Sequence, residues 1–288
     1  MAVLIKKAQE HADPVAITFV SIFTNFIIFG AIYAALLARE TAPPFDLRAT
    51  SLFFVGGIFI SVVGRYCTYT GIRYIGPSRN TAIRGSIPLF TLVLAFIFIR
   101  ESPSLTDVLG MILVVSGLIF LARENPLNSR SSAAAGGGNP ESASRLWTLG
   151  IAFSFGGAFA QAVGSTIMKA GLNVVGSSLQ SAFIGSWAGM IFFIVLITLQ
   201  GKWSSFNRMF KTSFVYITGA ALANSAAAIL AFSSFTYTNV ATSEALIGTQ
   251  PLLTILLSAI VLGRMDFITR PLMMSALLIV GGALALVW

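Results

Sequence analysis

The stretch "TAIRGSIPLFTLVLAFIFIRE", Thr81 to Glu101, is apolar enough to cross a bilayer, yet it carries Arg84 and Pro88 four residues apart. An arginine at the centre of a span costs roughly 2.5–3.5 kcal/mol on insertion scales, so it calls for a partner or a watery surface. Proline removes a backbone donor, and its ring collides with the carbonyl four residues back, which kinks a helix. A second stretch, "EALIGTQPLLTILLSAIVLGR" from Glu244 to Arg264, aligns with the first at an offset of 163. Ala82, Gly85, Pro88, Leu89, Thr91, Leu94 and Ile97 then meet identical residues at Ala245, Gly248, Pro251, Leu252, Thr254, Leu257 and Ile260. Leucines coincide readily in apolar sequence. A shared Gly-x-x-Pro spacing does so much less readily, and it points to an internal repeat.

The rest of the chain fits a membrane setting. It has 288 residues, 56% hydrophobic and 10% charged, with a mean hydropathy of +0.86. Soluble domains carry about 25% charged residues, and β-barrel strands alternate in hydrophobicity over about 10 residues. Neither pattern is present here. Nine spans of helical length stand out: Val15–Ala38, Leu52–Arg73, Asn80–Ile99, Leu105–Ala122, Trp147–Ala170, Ser177–Leu199, Ser213–Thr236, Ala241–Leu262 and Phe267–Val287. The single Cys67 allows no intrachain disulfide or thiolate cluster, and His11 is the one histidine. The net charge of +8 comes without a basic cluster, so it reads as residues flanking spans and not as a nucleic-acid surface.

The connector "ENPLNSRSSAAAGGGNPESASR" (124–145) has the composition of a flexible linker. It divides the chain into a first repeat over 1–123, a linker over 124–146 and a second repeat over 147–288. Upstream, residues 3–15 fall on 165–177 at an offset of 162, with Lys7-Ala8 on Lys169-Ala170. In that register the first half keeps only the end of the helix that opens the second. The expected fold is therefore an all-α polytopic membrane protein of two five-helix repeats, the first lacking most of its first helix. Five is odd, so the second repeat enters the membrane inverted, and in secondary transporters such repeats hold the substrate near the midplane.

The segments "GIRYIGPSRNTAIRGSIPLFTLVLAFIFIRESPSLTDVLGMILVVSGLIFLAR" (71–123) and "FTYTNVATSEALIGTQPLLTILLSAIVLGRMDFITRPLMMSALLIVGGALAL" (235–286) resemble EamA-type transporters of the drug/metabolite transporter superfamily. The shared pattern is a small-residue-rich helix, a helix with a central Pro, an acidic residue at its end and a Gly-containing last helix. The resemblance covers nearly the whole chain outside the linker. It departs in the short first helix and in Arg264, which stands where the first half has Glu101. The resemblance implies a multi-pass protein of the cell membrane (inner or plasma) that exports a small organic metabolite or drug-like solute, with no cofactor.

Candidate residues follow from what is costly inside a bilayer. Arg65 and Arg84 are the two intramembrane cations, and arginine cannot shed its proton. Each faces an anionic or zwitterionic solute, or else is paired structurally, as Arg84 would be with Glu244. Glu244 alone of ten carboxylates lies inside a span. Proton coupling asks for such a group, although a helix N-terminus also attracts an acid. Pro88 and Pro251 are the helix-kink pair, freeing carbonyls toward a cavity or serving packing alone. Tyr66, Tyr69, Gln161, Asn224 and Gln250 are further substrate candidates, with interhelical hydrogen bonding as the alternative. No constellation for catalysis or metal binding is present, so the chain is not read as an enzyme.

Counting basic residues by side places Met1 in the cytoplasm and Trp288 outside, whereas the resemblance implies a cytoplasmic C-terminus. The leading function is secondary transport by alternating access. The alternative is a truncated or scaffold protein that transports nothing. The partners are the solute and the lipid bilayer, with no nucleic acid; nothing in the sequence supports a homodimer.

Overall fold

The computed structural model describes residues 2–9, 13–39, 45–99, 105–122, 140–200, 218–231, 233–234, 237, 240–262 and 269–285. Much of the linker, His11, Glu101 and Arg264 lie outside them. The described residues form α1 (Ala2–Ala8), α2 (Pro14–Ala38), α3 (Leu47–Gly57), a π-helical segment (Ile58–Gly64), α4 (Arg65–Ile75), α5 (Pro77–Arg84), α6 (Ile87–Ile99) and α7 (Leu105–Ala122). There follow α8 (Pro140–Val175), α9 (Ser178–Gln200), α10 (Thr218–Ala231), α11 (Val240–Ile247), α12 (Gln250–Val261) and α13 (Arg270–Ala285). Four helical stretches among them are long and apolar enough to cross a membrane: Pro14–Ala38, Leu47–Ile75, Ser144–Val175 and Ser178–Leu199. The chain is a polytopic all-helical membrane protein.

Local chemistry sets the helix ends. Pro14 opens α2, where its missing N–H costs nothing. The Asp46 carboxylate accepts from the Ala49 N–H at 2.7 Å and caps α3. Gly76 turns the chain into α5 at φ 85°, a conformation other residues rarely adopt, and Pro77 follows it. α8 starts at Pro140, seven residues before the expected Trp147.

The largest differences from the expected spans are at the two prolines. Asn80–Ile99 is two helices, α5 and α6, and Ala241–Leu262 is likewise α11 and α12. Proline strips the carbonyl four residues back of its helical partner. For Pro88 that residue is Arg84 and for Pro251 it is Ile247, and these are the last residues of α5 and α11. The Gly-Ser and Gly-Thr pairs that follow let the chain pass through a turn, and each proline becomes the second residue of the next helix.

The structure divides into two compact units, each drawing on both halves of the sequence. One contains Val3–Tyr66 and Val163–Val240, the other Cys67–Ala162 and Ala241–Trp288. In the first unit Phe29, Phe53, Met168, Leu172 and Ala182 form the core. Helices there approach through glycine. A Cβ on Gly57 would overlap the Gly185 backbone, and one on Gly189 would stand 2.9 Å from Ser61 Cβ. In the second unit Ile75, Ala82, Ile83, Trp147, Leu272 and Ile279 pack together. There α13 lies along α7 so closely that a Cβ on Gly282 would come 2.6 Å from the Gly110 carbonyl oxygen.

Between helices in lipid, apolar surface gives little drive to associate, so close backbone approach does much of the work. Gly57→Ala is therefore expected to cost about 1–3 kcal/mol through overpacking against α9. Gly281→Ala, with nothing within 4 Å, should leave stability level or slightly higher. Thermal unfolding in detergent compares the two, and equal melting temperatures would contradict the Gly57 contact.

Candidate functional site

The second unit holds two helix interruptions built alike, one in each half of the sequence. At the first, the Gly85 N–H reaches the Thr81 and Ala82 carbonyls, both at 3.0 Å, and the Ser86 N–H reaches the Ile83 carbonyl at 3.0 Å. Ser86 Oγ donates to that same Ile83 carbonyl at 2.6 Å, and the Phe90 N–H returns to Ser86 O. At the second, the Gly248 N–H bonds Glu244 O at 2.7 Å and the Thr249 N–H bonds Leu246 O at 3.2 Å. Thr249 Oγ1 donates to Leu246 O at 2.8 Å, and the Leu252 N–H returns to Thr249 O. The glycine, the hydroxyl residue and the acceptors Thr81/Glu244 and Ile83/Leu246 correspond at an offset of 163, while the return bond comes from four residues past Ser86 in the first and three past Thr249 in the second.

The two interruptions meet. A Cβ built on Gly85 would stand 3.5 Å from the Gly248 carbonyl oxygen, and 2.5 Å from Ile279 of α13. Just past the first interruption, Ile87 packs on Ala158 and Ala162 of α8, the stretch that carries Gln161. Arg84, half-buried, is the last residue of α5. Glu244, 1% exposed, stands one turn before the second interruption. Gln250 is exposed at the first position of α12, and Pro88 and Pro251 are buried. The structure thus gathers Arg84, Glu244, Pro88, Pro251 and Gln250 onto two adjoining turns, with Gln161 on the helix segment beside them.

The other candidates lie elsewhere. Arg65 is half-buried at the junction of the π-helical segment with α4. Tyr69, one turn further along the same helix, is almost fully buried, and Tyr66 is half-buried. A π-helical turn within a span frequently marks a functional position, and this one ends at Arg65. Asn224, half-buried, belongs to α10 in the first unit. Among the described residues no group of three or more His, Cys, Asp or Glu gathers as a metal site would require.

Two residues escaped the sequence reading. Arg79 reads as a connector residue beside "GPS", yet it is 1% exposed in the first turn of α5, with its guanidinium carbon 5.5 Å from the Trp147 ring centroid. Beside it Asn80 Nδ2 donates to Ser154 Oγ at 2.8 Å, and Ser154 Oγ to the Gly150 carbonyl at 2.8 Å. A side chain on Gly71 would strike both partners. Asn25 is the second. It is 2% exposed on α2, and its Oδ1 accepts from Ser225 Oγ at 2.6 Å and from Asn224 Nδ2 at 3.3 Å. A signal was present: Thr18, Ser21 and Asn25 share one helical face of a largely apolar span.

Comparison with known proteins gives a consistent result. A family model described as the EamA-like transporter family matches residues 1–123 and 148–288. Crt homolog 1 of Dictyostelium discoideum is 29% identical over 123 residues, covering 41% of this chain and 26% of that protein. Crt homolog 2 of the same organism is 31% identical over 94 residues, covering 32% and 19%. A WAT1-related protein of Arabidopsis thaliana is 28% identical over 147 residues, covering 46% and 40%. The matches thus span 19% to 40% of these relatives' own length. A solved crystal structure shares the fold at a TM-score of 0.62 with 15% identity, over 99% of this chain and 94% of that chain.

Arg79→Ala is expected to cost about 2–4 kcal/mol, from the lost contact with Trp147 and the unfilled volume. Exposed Arg73→Ala should stay within about 0.5 kcal/mol of the parent. Thermal unfolding distinguishes the pair, and a tolerated Arg79→Ala would place Arg79 outside the packed core.

Proposed function

The chain belongs to the EamA-like transporter family, and from that membership we propose that it is a secondary carrier, exporting a small organic metabolite or drug-like solute by alternating access. In this reading the two sequence repeats, 1–123 and 147–288, are inverted with respect to each other and joined by the linker at 124–146, whose last residues, from Pro140, already belong to α8. The carrier works in the cell membrane, performs no chemistry on its solute, uses no cofactor and draws its energy from a gradient or from exchange.

The observation that carries this reading is the pair of matched helix interruptions meeting within one unit. Carriers built from repeats place solute and coupling-ion sites at discontinuous helices, where main-chain groups and helix ends are available inside the membrane. Arg84 stands at the end of one broken helix, and a permanent cation there suits a carboxylate, a phosphate or the anionic end of a zwitterion. Glu244, buried beside the other, is the one candidate for proton coupling. Arg65, Tyr69, Gln161, Asn224 and Gln250 are the remaining solute contacts in this reading.

Thermal unfolding of the purified protein against amino acids, organic acids, sugars, nucleosides and cationic drugs tests it. A compound at 100 times its dissociation constant should stabilise the parent by about 2.7 kcal/mol. An anionic compound should do so in the parent and not in Arg84→Gln. If no compound shifts either protein and the mutant is merely less stable, Arg84 is a structural residue and the scaffold reading moves ahead.

In sealed vesicles, Glu244→Gln should abolish accumulation driven by a proton gradient and leave one-for-one exchange of the same solute intact. Retained gradient-driven accumulation would remove Glu244 from the coupling role.

A further inference from the structure

Transport as proposed above requires the protein to recognise a solute as well as to move it, and the first unit carries a neutral polar cluster suited to recognition. Asn25 is the twelfth of the 25 residues of α2, so it lies at mid-depth in a span. Thr18 and Ser21, on the same face, are as deeply buried. Thr18 spends its hydroxyl on its own helix, donating to the Pro14 carbonyl at 2.7 Å. Asn25 instead reaches across to α10, where Ser225 Oγ and Asn224 Nδ2 both donate to its Oδ1. Ser225 is 2% exposed, whereas Asn224 is only half-buried. Of the three side chains in the cluster, Asn224 is the one on its open side.

A primary amide has two unlike ends, and which end it offers depends on what holds the other. Asn25 takes the NH2 end of Asn224. The end Asn25 leaves unused is then the Asn224 carbonyl oxygen, a neutral acceptor on a half-buried residue. A neutral acceptor in a low-dielectric setting favours solutes with an N–H or O–H donor over analogues of the same shape without one, because an unpaired buried polar group is costly. We infer that Asn25 is a positioning residue for solute recognition, holding the Asn224 amide with its oxygen outward so that the carrier selects solutes bearing an ammonium or hydroxyl donor. This rests on the transport reading above.

Two probe pairs test it on the full-length protein: L-phenylalanine with its N,N,N-trimethyl analogue, and uridine with its tri-O-methyl analogue. Dissociation constants come from the dose dependence of thermal stabilisation. The parent should prefer the donor-bearing member of at least one pair by roughly tenfold or more. Asn25→Leu should bring that ratio close to one. Asn25→Ser, too short to reach Asn224, should do the same and serves where the leucine variant does not fold. Asn25→Asp keeps an acceptor oxygen in place and should restore most of the preference. Ser225→Ala removes the other donor to Asn25 and should lower the melting temperature without moving the ratio.

A double-mutant cycle between Asn25→Ser and Asn224→Ala, read on melting temperature, reports the hydrogen bond independently of any solute. Additive effects would overturn the inference at its geometric basis. Coupled effects with an unchanged ratio would make the cluster a lock between α2 and α10 and overturn recognition. If neither probe pair shifts the parent, donor recognition is overturned. If other compounds of the wider panel then stabilise it, the transport reading stands without this inference; if none does, the transport reading fails as well.

Discussion

Inside a bilayer a backbone amide has no water to turn to, and the two interruptions of helix in the second unit answer to that constraint. The two interruptions satisfy it by local means. At each, a glycine N–H bonds back over four residues, the next N–H bonds back over three, and the hydroxyl of that same residue adds a second donor to the same carbonyl. Serine serves in one half and threonine in the other. Proline cannot donate, so it sits where a first-turn helical residue would have had no partner anyway. The break is thus a structured turn with its own hydrogen bonds, and it survives burial because those bonds are internal.

The same constraint shapes how helices meet. With lipid as apolar as leucine, association depends on close packing and on polar contacts between helices. Glycine supplies the first: Gly57 against Gly185 in one unit, Gly282 against Gly110 in the other. The buried asparagines supply the second, Asn25 with Asn224 and Ser225, and Asn80 with Ser154. Arg79 is the costliest member of this group. Its planar guanidinium tolerates burial better than an ammonium would, because it is more weakly hydrated and can face an aromatic ring such as Trp147.

The class of protein and most of its spans were legible in the sequence, because hydropathy over about 20 residues is a long and redundant signal. The twin Gly-x-x-Pro motif was legible as well, and it led to the region where Arg84 and Glu244 lie. Its consequence was harder to foresee. Proline alone predicts a bend, and the outcome at Gly85–Ser86 depended on a hydroxyl three residues past Ile83, a detail that composition does not reveal. Arg79 was misplaced for a different reason. A charge next to "GPS" at the end of an apolar run looks like a solvated turn, and only the tertiary packing of Trp147 over it shows otherwise. Asn25 escaped attention because a single amide barely lowers the hydropathy of a 25-residue helix. Its partners lie 199 and 200 residues away, beyond any local pattern.

Duplication provides an internal control on the ionisable residues. The second interruption forms with Ile247 where the first has Arg84, so the turn itself does not require an arginine. The first forms with Thr81 where the second has Glu244, so it does not require a glutamate either. The glycine and hydroxyl hydrogen bonds are reproduced at both sites while the charges differ in sign and position. Neither charge is therefore required by the turn beside it. Each bears a desolvation cost that the matching turn avoids. Whatever offsets that cost lies outside the turn itself, in the contacts each side chain makes beyond it. The same logic does not extend to Arg79. It lies at the opposite end of α5 from the break, faces Trp147 and sits in the packed core, so its cost has a structural return. Arg79 thus serves the packed core, whereas Arg84 and Glu244 are not required by the turns they adjoin.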